Sequence, residues 1–153
     1  QDSSSAASDV YKRQLSGKGA SVYGARWNSI GTELIYTACN RSLAMAEVLV
    51  HLEMDEIPGD YFMMDVFVPD FPSGEVLPED LDFMWSHPLN YNRAAQKIGD
   101  SFIRSNELLS LKVPSAVTKG EFNYLINPFH RDFKKVEIVG CEKFPFDMRL
   151  VSR

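Results

Sequence analysis

Between Ser42 and Asn92 the chain has no lysine or arginine, while acids recur from Glu47 through Asp82. The last third carries Lys112, Lys119, Arg131, Lys134, Lys135 and Lys143. An acidic middle repels phosphate backbones, so direct binding of nucleic acid is not expected. Such a surface either aids solubility or faces a basic protein partner. Cysteine is scarce: Cys39 and Cys141 show no CxxC spacing. That excludes a cysteine metal cluster and favours free thiols in a reducing cytoplasm over a disulfide. His51, His87 and His130 are widely separated and form no HExxH-like pair, so no metal site is expected. No run approaches the ~18 apolar residues that cross a membrane, and no basic segment followed by an apolar stretch marks a secretory signal. A cytoplasmic protein with no membrane contact is the expectation. There is no GxGxxG after a strand and no P-loop, so any nucleotide binds by another geometry. The lack of a Gly-x-Ser-x-Gly elbow, or of a Ser/His/Asp trio, counts against a serine hydrolase.

What is present is globular. The 153 residues suit one domain, with 44% hydrophobic and 24% charged residues. Gln1–Gln14 is Ser/Ala-rich without apolar periodicity and reads as a flexible, non-native leader; residues 15–153 form the expected domain. Gly17, Gly19, Gly24 and Gly31 let the backbone between Leu15 and Gly31 bend sharply. Strands are expected at Leu34–Thr37, Tyr61–Val68, Leu108–Val113, Val136–Val139 and Glu142–Phe146, the last two paired around Gly140. Glu121–Ile126 is ambiguous. Helices are expected from Leu43 to about Glu53, capped by Asn40 or Ser42, and from Tyr91 to Asn106, with Ala94, Ala95, Ile98, Phe102 and Ile103 inward. Pro78–Pro88 reads as loop with a helical turn. The pattern predicts a mixed α/β (α+β) domain with a single mixed sheet.

Glu47 is the most informative residue, because its helix is apolar on nearly all sides. Such a helix is buried, and an ionised carboxylate there needs a partner or a task. A fold-fixing salt bridge and a functional acid are equally compatible with this segment. Arg26 lies on a tight loop between glycines, suited to bidentate recognition of phosphate or carboxylate, or simply exposed. Ser115 follows Pro114 at a strand end, where a hydroxyl can face a cleft. Tyr36 serves as core or as a stacking wall. Asn123 closes a turn or binds a ligand, and Asn127, before Pro128, reads as a turn residue. His51, one helical turn after Glu47, can share its face.

The stretches LSGKGASVYGARWNS, ELIYTA, SLAMAEVLVHL, LKVPSAV, FNYLINPFH and FKKVEIV together resemble the RES domain, from Leu15 nearly to the C-terminus. The family's arginine matches Arg26, its helix glutamate Glu47, its serine Ser115 and its strand tyrosine Tyr36. Ala25 stands where glycine is usual. Family members generally begin with a strand bearing a Tyr-Arg-like pair a dozen or so residues before the Leu-Ser-Gly block. Here Tyr11-Lys12-Arg13 stands almost against that block, so this strand and its arginine are expected to be missing.

The resemblance implies a fold similar to ADP-ribosyltransferases and a toxin of a bacterial type II toxin–antitoxin pair. It implies cleavage of the nicotinamide–ribose bond of NAD, by hydrolysis or with inorganic phosphate as co-substrate, and no cofactor. Protein ADP-ribosylation on the same fold, or an inactive antitoxin-binding remnant, are the alternatives. The implied partner is an Xre-like helix-turn-helix antitoxin, with a homodimer left open. Arg26, Glu47 and Ser115 would be catalytic; Arg26, Tyr36, Asn28 and Asn123 would contact NAD.

Overall fold

The computed structural model describes residues 15–52, 59–89 and 93–150. The expected leader lies outside them. A short helix, α1 (Lys18–Tyr23), precedes the edge strand β1 (Ile35–Ala38) and helix α2 (Arg41–Leu49). Strands β2 (Phe62–Phe67) and β3 (Ser73–Glu75) follow, then helix α3 (Arg93–Ser105), β4 (Ser110–Pro114), β5 (Phe122–Ile126) and β6 (Glu137–Lys143). Single 3-10 turns occupy Pro78–Asp80, Phe133–Lys135 and Met148–Leu150.

Two sheets form among the described residues. One is four-stranded in the order β1-β5-β4-β3, with antiparallel pairs except for the parallel β3–β4 pair. The other pairs β2 with β6 antiparallel, bulged between Asp65 and Val66. This is a mixed α/β domain with a mixed sheet, as expected, although the strands divide between two sheets.

The two faces of the four-stranded sheet carry different cores. Side chains alternate across a strand, so Leu111, Val113 and Leu125 point one way and pack with Trp27, Leu34, Val76, Ala95 and Phe102. Ile35 and Ile126 point the other way and join Leu109, Val136, Val66 and Val68 beneath the second sheet. Helix α3 covers the first face through Ala95, Gly99 and Phe102. Ile98 and Ile103 flank them, but Ala94 faces outward rather than inward.

Several expectations need correction. The strands expected at Val136–Val139 and Glu142–Phe146 are one strand, β6 (Glu137–Lys143), whose partner is β2, with Gly140 opposite Asp65 inside the ladder. Helix α2 is half-buried: Leu43 alone among its residues is fully covered. It ends at Leu49, and Glu53 lies outside the described residues. Strand β1 is shifted by one residue, and Leu108 precedes β4. The ambiguous Glu121–Ile126 segment supplies β5, at the sheet's centre. Helix α1 and strand β3 carried too little periodicity to be foreseen, being six and three residues long.

The tightest helix-to-loop contact is at Gly99. A Cβ built there would fall 1.7 Å from the Trp27 carbonyl oxygen. Gly99→Ala should therefore force α3 from the core and cost about 2 kcal/mol or more. A lowered urea midpoint at unchanged slope is the expected result; an unchanged midpoint would show that α3 does not depend on this contact.

Candidate functional site

Helix α2 begins where Asn40 caps it: the Asn40 side chain accepts from the Leu43 amide at 2.8 Å, with extended backbone at the cap. Leu43, 3% exposed, anchors the inward face. Glu47 lies four residues later on that same face, so burial of Leu43 directs the carboxylate toward the end of the sheet.

Two neutral donors meet it there. Ser115 Oγ donates to Glu47 Oε1 at 2.9 Å, and Asn123 Nδ2 donates to the same oxygen at 2.7 Å. Only the amide nitrogen of Asn123 can donate to a carboxylate, which fixes the orientation of that side chain. Ser115 is itself held: its Oγ accepts from the amides of Val117 and Thr118, both at 3.1 Å. Glu47 forms no salt bridge with a described residue, and Oε2 receives no hydrogen bond from one. Asn123 Oδ1 is buried without a hydrogen-bond partner.

Glu47, Asn123, Tyr36 and Arg26 all line one cleft of about 1990 Å³. His51 lines it too, but makes no hydrogen bond with Glu47. Ser115 is 4% exposed and absent from the cleft wall. Its hydroxyl is directed at Glu47, the arrangement expected of a serine that positions the acid.

Arg26 takes a different role from the one its loop suggests. Its guanidinium donates to the carbonyl oxygens of Trp85 and His87, the latter at 3.3 Å, tying the 82–89 segment to the cleft mouth. Trp27 and Trp85 pack beside this link, ring centroids 6.1 Å apart.

Asn28 requires a correction as well. It is fully buried, and its Nδ2 donates to the carbonyls of Ala20, Ser29 and Thr32 at 2.9, 3.2 and 3.1 Å. Its Oδ1 accepts the Tyr36 hydroxyl at 2.6 Å, and that hydroxyl accepts from the Trp27 amide at 3.1 Å. Asn28 is thus a support behind Tyr36 rather than a ligand contact. Asn127 is a turn residue, as read: Oδ1 accepts from the Phe129 amide at 2.9 Å.

At the cleft's outer wall, Arg41 donates to Asp65 at 2.6 Å and to Glu142, joining the start of α2 to β2 and β6. Hydrogen bonding to Asp65, then to Glu142, raises the Arg41 pKa further above its usual value. Sequence reading missed this bridge, because its partners lie 24 and 101 residues away. Among the described residues, no group of three or more His, Cys, Asp or Glu is placed to hold a metal ion. None of their helices is long and apolar enough to cross a membrane. Cys39 and Cys141 are free thiols.

A family model, the RES domain, matches residues 5–148. The chain belongs to the RES domain family. The match starts ten residues before Leu15, inside the segment read as leader. Among similar RES proteins, the "Prs ADP-ribosylating toxin" of Sphingobium sp. (strain YBL2) is 34% identical over 91% of this chain and 88% of its own length. A protein named "Toxin Res" from Photorhabdus laumondii is 36% identical over 90% of this chain and 88% of its own. Another "Toxin Res", from Yersinia enterocolitica, is 35% identical over 88% of each chain. The toxin–antitoxin complex MbcT–MbcA of M. tuberculosis contains a chain of the same fold. Its TM-score is 0.64 at 17% identity, covering 86% of this chain and 77% of that one.

Replacing Asn28 with Ala would leave the Thr32 carbonyl without its Asn28 donor and remove the acceptor of the Tyr36 hydroxyl, while the Ala20 and Ser29 carbonyls keep the Gly24 and Thr32 amides. Unsatisfied buried groups cost about 1–3 kcal/mol each. The expected outcome is a clear loss in thermal midpoint, and a midpoint within error of the parent would restore Asn28 to a surface role.

Proposed function

We propose that this RES protein is the toxin of a bacterial type II toxin–antitoxin pair and acts by breaking the nicotinamide–ribose bond of NAD. The observation that carries this reading is the Glu47 carboxylate, pinned through Oε1 by two neutral donors while Oε2 remains for a ligand. Cleaving an N-glycosidic bond builds positive charge on the ribose C1′–O4′ unit. A carboxylate held by neutral donors, with no cation paired to it among the described residues, can direct its charge at that oxocarbenium centre.

In the proposed step, the C1′–N bond breaks and nicotinamide leaves with the electron pair, its ring nitrogen becoming neutral. An acceptor oxygen then bonds to C1′ and gives up its proton. With water the products are nicotinamide and ADP-ribose; with inorganic phosphate they are nicotinamide and ADP-ribose 1″-phosphate. Glu47 Oε2 would accept a hydroxyl proton of the ribose and hold the carboxylate close to the developing charge. Ser115 and Asn123 would keep the carboxylate from rotating away. Tyr36, braced by Asn28, would offer its ring edge or face to the nicotinamide or adenine. NAD is a substrate here, and the residues named need no metal. Arg26 would contribute by fixing the 82–89 segment, or would exchange the Trp85 and His87 carbonyls for the pyrophosphate once NAD binds.

A second acceptor has specific support. The name of the Sphingobium relative, "Prs ADP-ribosylating toxin", favours transfer of ADP-ribose to a protein side chain on the same site. The partner follows from similarity as well: the related fold occurs in a toxin–antitoxin complex. An antitoxin that carries an Xre-like helix-turn-helix part and covers the cleft fits this reading, as does a cytoplasmic location, where NAD is found. A homodimer would be compatible with it.

Two substitutions test the assignment. Glu47→Gln keeps the shape but removes the charge, and should lower NAD consumption by at least about 100-fold. A folded Gln variant that consumes NAD at the parent rate would overturn the reading. Ser115→Ala should lower kcat roughly tenfold with little change in KM, since it loosens the carboxylate without touching substrate. Labelled NAD identifies the acceptor: label in free ADP-ribose, in its phosphate or on protein marks water, phosphate or transfer respectively.

A further inference from the structure

The sheet face turned away from Asn123 carries a polar row that the chemistry above does not use. Glu75 of β3, Lys112 of β4, Tyr124 of β5 and Thr37 of β1 lie in register across all four strands. Facing residues of neighbouring strands hold their Cβ atoms about 5 Å apart, so these side chains stand side by side. Ser110, two residues before Lys112, shares the face and adjoins the second core. All five line the cleft, opposite β2 residues such as Met64 and Val66.

Donors dominate here. Ser110 is 5% exposed and makes no side-chain hydrogen bond with a described residue, yet it borders the cleft. The Tyr124 hydroxyl has no hydrogen-bond partner among the described residues. Lys112 Nζ reaches Glu75 only at 3.6 Å and sits 4.1 Å above the centre of the Phe122 ring. An ammonium group has three donors, and neither contact is a close hydrogen bond. Thr37 uses its hydroxyl proton on the Tyr124 carbonyl at 2.8 Å, leaving Glu75 as the row's one carboxylate. The Ser110 hydroxyl opens onto the cleft, and three donors on one face suit a ligand rich in acceptor oxygens.

We infer that Ser110, Lys112 and Tyr124, on the sheet face opposite to the one that carries Asn123, form a second ligand site that binds a phosphate group. Lys112 would swing off the Phe122 ring and exchange its loose contact with Glu75 for the phosphate oxygens, while Ser110 and Tyr124 donate from either side. Two sources offer this chemistry, a free phosphate ion and a nucleotide monophosphate. The site does not depend on what Glu47 does, so its failure and the failure of the proposed reaction are separable.

The test titrates the full chain with inorganic phosphate and, separately, with adenosine monophosphate, at constant ionic strength, by calorimetry and by NMR of the Lys112 side chain and Phe122 ring. Binding of either should move the Lys112 and Phe122 resonances. Lys112→Met and Ser110→Ala should each weaken it at least tenfold, and Tyr124→Phe, which preserves the packing, severalfold. Glu75→Gln should tighten it, because the competing carboxylate charge is gone. Phosphate binding without the nucleotide identifies the free ion, and tighter nucleotide binding identifies the ester; both uphold the site. Three results would overturn it: no binding of either ligand, affinity unchanged in Lys112→Met and Tyr124→Phe, or binding abolished by Arg26→Ala but retained in Lys112→Met. NAD consumption in folded Lys112→Met should stay at the parent rate, and its loss would place Lys112 in the main site instead.

Discussion

The hydrogen bonds that converge on one oxygen of Glu47 tie the site to the fold. Helix α2, the turn after β4 and the first residues of β5 meet at Oε1 and at no other single atom. Their sequence positions are 68 and 76 residues from Glu47. The chain in between must therefore complete the central β4–β5 pair before the acid is held. Once Val113 pairs with Asn123, and Pro114 with Phe122, the serine and the asparagine stand at the same end of the sheet. The turn from Ser115 to Glu121 closes on itself through the Ser115 amide and the Glu121 carbonyl at 2.8 Å. Two amides then polarise the Ser115 hydroxyl, and it passes that polarisation to the carboxylate. A site assembled this way is formed by folding, with little left for substrate to organise.

Tyr36, on the same sheet face as Asn123, shows the same economy. Its hydroxyl is fixed from behind by Asn28, whose amide gathers three carbonyls from the glycine-rich segment. Carbonyls at the end of α1 and in the loop after it thereby gain a side-chain donor, which buried irregular backbone requires. The ring is left partly exposed in the cleft. Gln96 of α3 adds to this by donating to the carbonyls of Ala25 and Asn28 at 3.0 and 3.2 Å, so the loop that braces the tyrosine is also tied to the helix.

Much of this was legible in the sequence, and the parts that were not share a cause. The period-2 and period-3.6 patterns announced β1, β2, β4, α2 and α3, because each has a face that must be buried. Glu47 stood out as an acid in an apolar helix, although the helix is only half-buried and the partners are neutral rather than cationic. Asn28 was found as a position but read as a ligand contact, since no local pattern separates a side chain that touches ligand from one that braces its neighbour. The same holds for Arg26: a guanidinium between glycines announces carbonyls or phosphate equally, and here two loop carbonyls occupy it. Strand β3 escaped because three residues with a glycine carry no periodicity. Its place is set by Gly74, where a Cβ would come within 2.8 Å of the Leu108 side chain, a tertiary demand invisible locally.

Neutral donors around Glu47 are the feature from which the chemistry follows. An arginine or lysine at Oε1 would also have fixed the carboxylate, and would have held it more firmly. It would equally have cancelled the negative potential that the cleft presents to a bound cation. Hydroxyl and amide donors orient the group while adding only dipoles, so the net charge at the site stays negative. Two arginines of the cleft are kept to other tasks, Arg26 on loop carbonyls and Arg41 on Asp65 and Glu142, while Lys112 stands on the sheet face turned away from Asn123. The run from Ser42 to Asn92, empty of lysine and arginine, extends that segregation along the chain. A site meant for an anionic transition state would gain nothing from excluding cations in this way. One meant for a developing oxocarbenium ion gains directly, because each neighbouring positive charge would oppose the charge that forms on the sugar.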